Sequence, residues 1–450
     1  MKKLIAIILI ILTQIKLSAQ DSFKLDNRNL MNFGKSFFYE LHYLPTPYID
    51  TINAIVLFKF SYDLMTFRKL ESSFSENVFY SQPNVDIDFQ DSEGIIRNRT
   101  IWKDTIKVFE FEKTLSKTDF INGFISVNLK KDKYKVTLRF SNTNVGFDRI
   151  IEIKDSILND FYEKNVISKP IFTYQVEENS FIPHILKNNI NFSIKNNKII
   201  VPVSFNYNIN KFWYRLKFVK SFSEGLTWES DFEKQDYVIP IKNQIPIFIK
   251  SESRILLNFK EIQKVNDKNF GYIIIDFPSE NLVPGNYNLQ ITNTFDQDTT
   301  SFDFQVIWVE KPFILQKPRY AIESMYYILT DEEYKEMLNA DYQDYSKLII
   351  DYWKRQDPTP ETPYNEAMAE YFKRVDFALF NFKTFSDKNG VKTDKGKVYI
   401  LFGQPTSIEK KLKEDDTYEI WNYKHLNKKF IFQSKSNDSF KLIEIQEGVN

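Results

Sequence analysis

Tyr134-Lys135-Val136-Thr137-Leu138-Arg139-Phe140 alternates apolar and polar side chains at every step, a period of two that belongs to a half-buried β-strand. Ala54-Ile55-Val56-Leu57-Phe58-Lys59-Phe60 is a run of the same length built from apolar and aromatic residues. Similar runs recur at Ile199-Ile200-Val201-Pro202-Val203-Ser204-Phe205, Trp213-Tyr214-Arg215-Leu216-Lys217-Phe218 and Tyr272-Ile273-Ile274-Ile275-Asp276-Phe277. Two β regions follow, from about Phe37 to Asp155 and from about Ile171 to Val309. Phe (42) and Tyr (25) are abundant while Gly (11) is scarce, which favours packed strands over glycine-rich repeats.

The two regions read as copies. Gly123-Phe124-Ile125-Ser126-Val127-Asn128-Leu129 precedes Tyr134-Lys135-Val136-Thr137-Leu138 and then Asn142-Thr143. Gly271 to Phe277 likewise precedes Tyr287-Asn288-Leu289-Gln290-Ile291 and then Asn293-Thr294. Short strands separated by polar turns, twice over, predict two tandem antiparallel β-sandwich domains of immunoglobulin-like type at 20–155 and 171–310. A linker or short helix is expected at 156–170, with Ile157, Leu158, Phe161 and Tyr162 on one face.

The N-terminus reads as a signal peptide over 1–19. Lys2-Lys3 is its basic start, Leu4 to Leu12 an apolar run too short to span a bilayer, and Leu17-Ser18-Ala19 its cleavage site. An exported, periplasmic product with no transmembrane anchor in the mature chain is expected. The sequence has no Cys, which excludes disulfides, thiol catalysis and cysteine metal sites. His42, His184 and His425 are the three histidines, without metal-ligand spacing; no metal and no cofactor is expected. Charge is balanced at 60 basic and 60 acidic residues, so no global field draws the chain to nucleic acid.

Pro312 and Pro318 open a different regime. Thr330-Asp331-Glu332-Glu333 reads as a capping box. A second helix carries Leu348, Ile349, Tyr352 and Trp353 on one stripe. Pro363 suits the first turn of a third helix, in which Met368, Tyr371, Phe372, Val375, Leu379 and Phe382 recur at helical spacing. After Asn389-Gly390, the segments Val398–Phe402, Tyr418–Tyr423, Lys429–Gln433 and Phe440–Ile445 read as a small antiparallel sheet. The region 311–450 is therefore expected to be an α+β domain.

Two stretches there are unusually dense in charged, aromatic and turn-forming residues. They are Trp353-Lys354-Arg355-Gln356-Asp357-Pro358-Thr359-Pro360-Glu361-Thr362-Pro363-Tyr364-Asn365-Glu366 and Gly390-Val391-Lys392-Thr393-Asp394-Lys395-Gly396-Lys397-Val398-Tyr399-Ile400. With Tyr371, Arg374-Val375, Gly403 and Pro405, they resemble the signature of the GWxTD domain, a family of exported proteins from Gram-negative bacteria. The resemblance runs from about Tyr320 to the end. It implies an envelope address and an architecture, and it implies no reaction. One position departs: the tryptophan of the family's name is Val391 here.

The candidate functional cluster is Trp353, Arg355, Asp357, Glu366, Arg374, Thr393 and Asp394. Arg355 can grip Asp357, Glu366 or a ligand carboxylate through a bidentate fork, and Glu370 and Arg374 stand at i, i+4. In a hydrolase acting on an envelope polymer, Asp357 and Glu366 would be acid and base, with Asp394 beside them. Alternatively Asp357, Glu361 and Asp394 would offer oxygens to a hard cation. As scaffolding, the same charges and prolines lock helices to sheet. Thr393 to Lys397 lacks Walker spacing and reads as a tight turn before a strand. Phe212-Trp213-Tyr214 is either sandwich core on alternate positions or a platform for sugar or peptide. The leading expectation is a non-catalytic envelope protein that binds or scaffolds another protein; a hydrolase and a carbohydrate-binding protein are the alternatives.

Overall fold

A computed structural model describes residues 37–448 except 47, 49, 71–77, 131, 143–144, 155–164, 206–208, 252–253, 263–268, 296, 384–388, 414–415 and 436–438. The expected signal peptide and residues 156–164 of the expected linker lie outside the described residues. The chain is a multidomain, β-rich protein with several antiparallel sheets and with its long helices gathered in the C-terminal region. It divides into two compact units, one holding Ala54–Leu158 and the other Asn159–Ser251 with Ile255–Asn450.

The main strands of the first β region are β1 (Phe37–Pro45), β2 (Thr51–Ser61), β3 (Pro83–Gln90), β4 (Ile96–Lys103), β5 (Phe120–Lys130), β6 (Lys135–Asn142) and β7 (Val145–Lys154). They form one sheet in the order β1-β2-β5 and a second in the order β7-β6-β3-β4. The alternation at 134–140 is realised: Tyr134, Val136, Leu138 and Phe140 are buried while Lys135, Thr137 and Arg139 stay partly exposed. Phe60 of β2 meets Phe140 of β6 at 4.8 Å between ring centroids, so the two sheets share an aromatic core.

In the second β region the main strands are β8 (Ile171–Glu177), β9 (Asn197–Phe205), β10 (Phe212–Lys220), β11 (Glu233–Val238), β12 (Asn269–Asp276), β13 (Gly285–Asn293) and β14 (Thr299–Ile307). β9 lies between β12 and β8 in one sheet, and the other runs β14-β13-β10-β11. Phe172 of β8 packs on Phe304 of β14 at 4.7 Å. For these main strands the order repeats that of the first region, although among the described residues the two sheets here have eight and five strands in all, against three and four there.

The two sequence copies occupy equivalent places in that order. Their paired strands do not lie side by side; β5 and β12 belong to one sheet of each region, β6 and β13 to the other. A tyrosine stands where each chain crosses over. The Tyr134 hydroxyl donates to the Lys130 carbonyl at 3.1 Å, and the Tyr287 hydroxyl donates to the Val283 carbonyl at 2.9 Å. Both bonds span four residues and pin the crossing connection to the strand it enters. Burial, the main cause, raises both phenol pKa values, so the hydroxyls remain donors.

The C-terminal region begins with α1 (Pro318–Ser324), α2 (Asp331–Asn339), α3 (Tyr345–Lys354), α4 (Glu366–Asn381) and α5 (Asp394–Phe402). A four-stranded sheet follows, β15 (Ser407–Lys413), β16 (Asp416–Tyr423), β17 (Lys428–Lys435) and β18 (Lys441–Glu447), in sequential antiparallel order. The capping box forms as read: the Glu333 backbone donates to Thr330 Oγ1 at 3.2 Å, and the Thr330 backbone donates to the Glu333 carboxylate at 3.0 Å. Three expectations are corrected. Val398–Phe402 is the second half of α5 rather than a strand, and Thr393 to Lys397 is the start of that helix rather than a turn. The run Val-Tyr-Ile favours a strand locally, but the Thr393 cap and packing of Val398 against Trp421 prevail. Pro363 lies outside α4, whose N-cap is Asn365. No helix among the described residues is long and apolar enough to cross a membrane.

Tyr287→Phe leaves the Val283 carbonyl without this donor and is expected to lower unfolding free energy by about 1–2 kcal/mol in urea titration. A loss below about 0.5 kcal/mol would remove the corner from the list of stabilising contacts.

Candidate functional site

The first dense stretch joins α3 to α4. Trp353, at the end of α3, is buried against Tyr371 at 5.2 Å and Phe372 at 5.9 Å on α4. The chain then turns through Asp357-Pro358-Thr359-Pro360. Asp357 Oδ1 accepts from the Thr359 backbone at 2.9 Å, and Thr359 Oγ1 donates to Glu366 Oε2 at 2.5 Å. Asn365 closes the loop twice. Its amide nitrogen donates to the Trp353 carbonyl at 2.6 Å, and its Oδ1 accepts from the Met368 backbone at 2.8 Å, capping α4.

Tyr364 carries the same stretch onto the second β region. Its ring stands edge-on to Phe192 at 5.3 Å and to Trp308 at 5.7 Å, both at 81°. Trp228 completes the cluster, 5.5 Å from Phe192 and 6.2 Å from Trp308. Lys195 adds longer ion pairs to Glu361 at 3.5 Å and Glu366 at 3.7 Å; half-exposed pairs of this kind contribute little.

The second dense stretch is a crossing of backbones at very short range. A Cβ on Gly390 would meet the Ala378 carbonyl oxygen at 2.0 Å, and one on Gly396 would meet the Gly390 carbonyl oxygen at 2.0 Å. Thr393 Oγ1 donates to Gly390 O at 2.8 Å and accepts from the Gly396 backbone at 3.0 Å. Asp394 Oδ2 accepts from the Leu442 backbone at 2.7 Å, fastening α5 to β18. Val391 is buried, and its carbonyl accepts from the Tyr327 hydroxyl at 3.0 Å. Arg374 pairs with Glu370 at 2.7 Å, as the i, i+4 spacing predicts, and its guanidinium lies beside Gly403.

The seven candidate residues therefore do not converge on one point. The structure brings Asp357 and Glu366 together at Thr359, sets Thr393 and Asp394 at the head of α5, and places Arg374 against Gly403. Arg355 goes elsewhere: its ion pair is with Glu333 at 3.5 Å, and it lies over the Tyr352 ring at 5.4 Å. With Glu333, Glu336, Met337, Leu348, Asp351 and Tyr352 it lines a cleft of about 390 Å³ between α2 and α3. The Thr330 backbone donor, and then Arg355, hold the Glu333 carboxyl below its ordinary range. Among the described residues, no group of three or more His, Asp or Glu side chains is placed to hold a metal ion.

Two titratable groups were invisible to pattern reading. Asp376 of α4 accepts from the backbone nitrogens of Phe313 and Ile314, the latter at 2.9 Å, where the chain leaves the β region. Burial raises its carboxyl to about 7, against the two donors that pull it down. Burial also lowers Lys311 to about 8, and its Nζ donates to the Leu226 carbonyl at 3.0 Å. The only hint was an acid set beside Val375 on an otherwise apolar stripe.

A model of the GWxTD domain matches residues 285–447. The chain carries a C-terminal GWxTD domain. The match takes in β13 and β14 as well as the helices and the last sheet, so the Tyr364 cluster lies partly inside it. No curated protein matches the chain. A structure of Salmonella alpha-2-macroglobulin reacted with methylamine is similar over 62% of this chain and 17% of that chain's length, at 13% identity and a TM-score of 0.14. A structure described as manganese lipoxygenase of Gaeumannomyces graminis with partial zonadhesin of Komagataella pastoris is similar over 59% of this chain and 92% of that one, at 12% identity and a TM-score of 0.16.

Gly396→Ala forces the crossing apart and is expected to cost about 2–3 kcal/mol in urea denaturation; a change within about 0.5 kcal/mol would show that the backbones part freely. Asp376 gives a pH dependence. Its folded pKa lies above the unfolded value, so its stabilising contribution is complete below about pH 4 and is lost as pH rises towards 7. The stability difference between wild type and Asp376→Asn should shift against wild type over that window by at most about 4 kcal/mol. A pH-independent difference would contradict the burial argument.

Proposed function

We propose that this is an exported envelope protein with a non-catalytic role, binding another protein through the cleft of its GWxTD domain. One observation carries the reading. Trp353, Asp357, Glu366, Arg374, Thr393 and Asp394 hold helices and sheet together, whereas Arg355, beyond its pair with Glu333, borders an open cleft with Glu336, Asp351, Met337 and Leu348. A cleft mixing charge with apolar side chains suits a charged, partly apolar segment of a partner. The N-terminal Lys2-Lys3 and Leu4–Leu12 pattern supports export to the periplasm.

The two β regions are immunoglobulin-like sandwiches in this reading, serving as spacers or as additional binding surfaces. Their shared strand order supports it, as do the tyrosines that bond back four residues at equivalent crossings. A second reading, carbohydrate binding, is favoured by the outer face of β10. Trp213 stands directly opposite Tyr237, which is 56% exposed with Lys211 over its ring at 4.1 Å. Phe212 and Tyr214 point into the core, so any platform is Trp213 and Tyr237 alone.

A photo-crosslinking residue at Leu348, in protein expressed in its native envelope, is expected to capture one reproducible partner. Arg355→Ala, exposed enough to leave the unfolding midpoint unchanged, should abolish that capture. An unchanged crosslink would move binding away from the cleft, and retention on polysaccharide lost with Trp213→Ala would favour the second reading instead.

A further inference from the structure

We propose that the C-terminal sheet joins copies of this chain head to tail, β15 of one copy adding beside β18 of the next. The two strands are the free edges of the sheet, and every residue of β15 is exposed. An exposed edge offers a row of backbone donors and acceptors to another strand. These edges also carry apolar side chains that nothing in the sheet covers. Leu412 is 78% exposed and Ile408 50% exposed on β15, and Ile445 is 51% exposed on β18.

Cross-strand register puts those side chains on one face. Ile408 is opposite Trp421, Trp421 opposite Phe430, and Phe430 opposite Ile445. Lys410 and Leu412 share that face with Ile408, because side chains alternate along a strand. The face is the one that packs on α5 through Trp421 and Phe430. A neighbouring sheet added at the edge therefore continues the existing apolar layer.

Charge selects which edges meet. β15 carries three Lys and one Glu, and β18 carries two Glu and one Lys. Two β15 edges would repel, whereas β15 and β18 attract. The strands of the sheet alternate in direction and number four, so a second copy in the same orientation presents its β15 antiparallel to β18. The open part of β18 is its second half, because the Leu442 nitrogen is already held by Asp394 at 2.7 Å and the pairing with β17 is irregular there.

One register satisfies face and charge together. Leu412 of the neighbouring copy lies opposite Ile445, its Lys410 opposite Glu447, and its Lys413 opposite Glu444. Moving the neighbour so that Ile408 faces Ile445 sets Glu409 against Glu444, which like-charge repulsion disfavours. Because the contact is heterologous, it generates chains or rings rather than closed dimers. This reading is independent of the α2–α3 cleft and its partner.

Sedimentation velocity on the full chain tests it. Wild type should grow with concentration past the size of a dimer, and added salt should weaken the growth. Leu412→Asp and Ile445→Lys, each at an exposed position, should each be monomeric with unchanged circular dichroism. Mixing the two restores one contact between an intact β15 and an intact β18 and sets the two introduced charges, opposite in sign, against each other at the next, so the mixture should associate again. Wild type that stays monomeric, association that survives either substitution, or a mixture that remains monomeric would overturn the proposal.

Discussion

The edge-on contact of Tyr364 with Phe192 and Trp308 is the joint on which the second unit depends. Each aromatic contact of this kind contributes about 0.5–1.5 kcal/mol beyond its buried area, and here four rings meet. Tyr364 is followed directly by Asn365, which caps α4 and holds the Trp353 carbonyl. Seating one ring in the β region thus sets the start of one helix and the end of another. Pro358, Pro360 and Pro363 all precede Tyr364 and fix φ along the turn that delivers it.

A second constraint acts at the other end of α4. The backbones at Ala378, Gly390 and Gly396 approach so closely that no side chain fits between them. Thr393 and Asp394 then each serve two elements, Thr393 tying Gly390 to α5 and Asp394 tying α5 to β18. Spacing in the GWxTD stretch is therefore the spacing of a helix start packed against another helix. The family's tryptophan position, Val391 here, is a buried place in that joint, which accounts for an aliphatic residue there. Thr393 is buried in its tie, Asp357, Glu366 and Arg374 are only half-buried in theirs, and Arg355, paired with Glu333, borders the cleft between α2 and α3.

Strand positions were legible because period-two alternation is a local signal, and Tyr134 to Phe140 buries the residues its pattern names. The capping box at Thr330 was legible for the same reason, since its two partners are three residues apart. What failed was whatever depended on distant contacts. Val398-Tyr399-Ile400 has strand-forming residues, yet Thr393 caps it and Trp421 packs on it, so it is helical. The charged candidates were read as one cluster because they are close in sequence; the fold sends Arg355 to Glu333 and Asp394 to Leu442. Asp376 escaped notice because its partners lie more than sixty residues away, in backbone nitrogens that carry no sequence signature.

The Asp357-to-Glu366 stretch binds the helices to the second β region as one cooperative body. Hydrogen exchange along a urea titration of the full chain reads this directly, comparing peptides from β13 and β14 with peptides from α4 and α5. In wild type the two groups should lose protection at the same urea concentration, and Tyr364→Ala should split them, with the helices opening first. Separate transitions in wild type, or a common transition that survives Tyr364→Ala, would contradict the account.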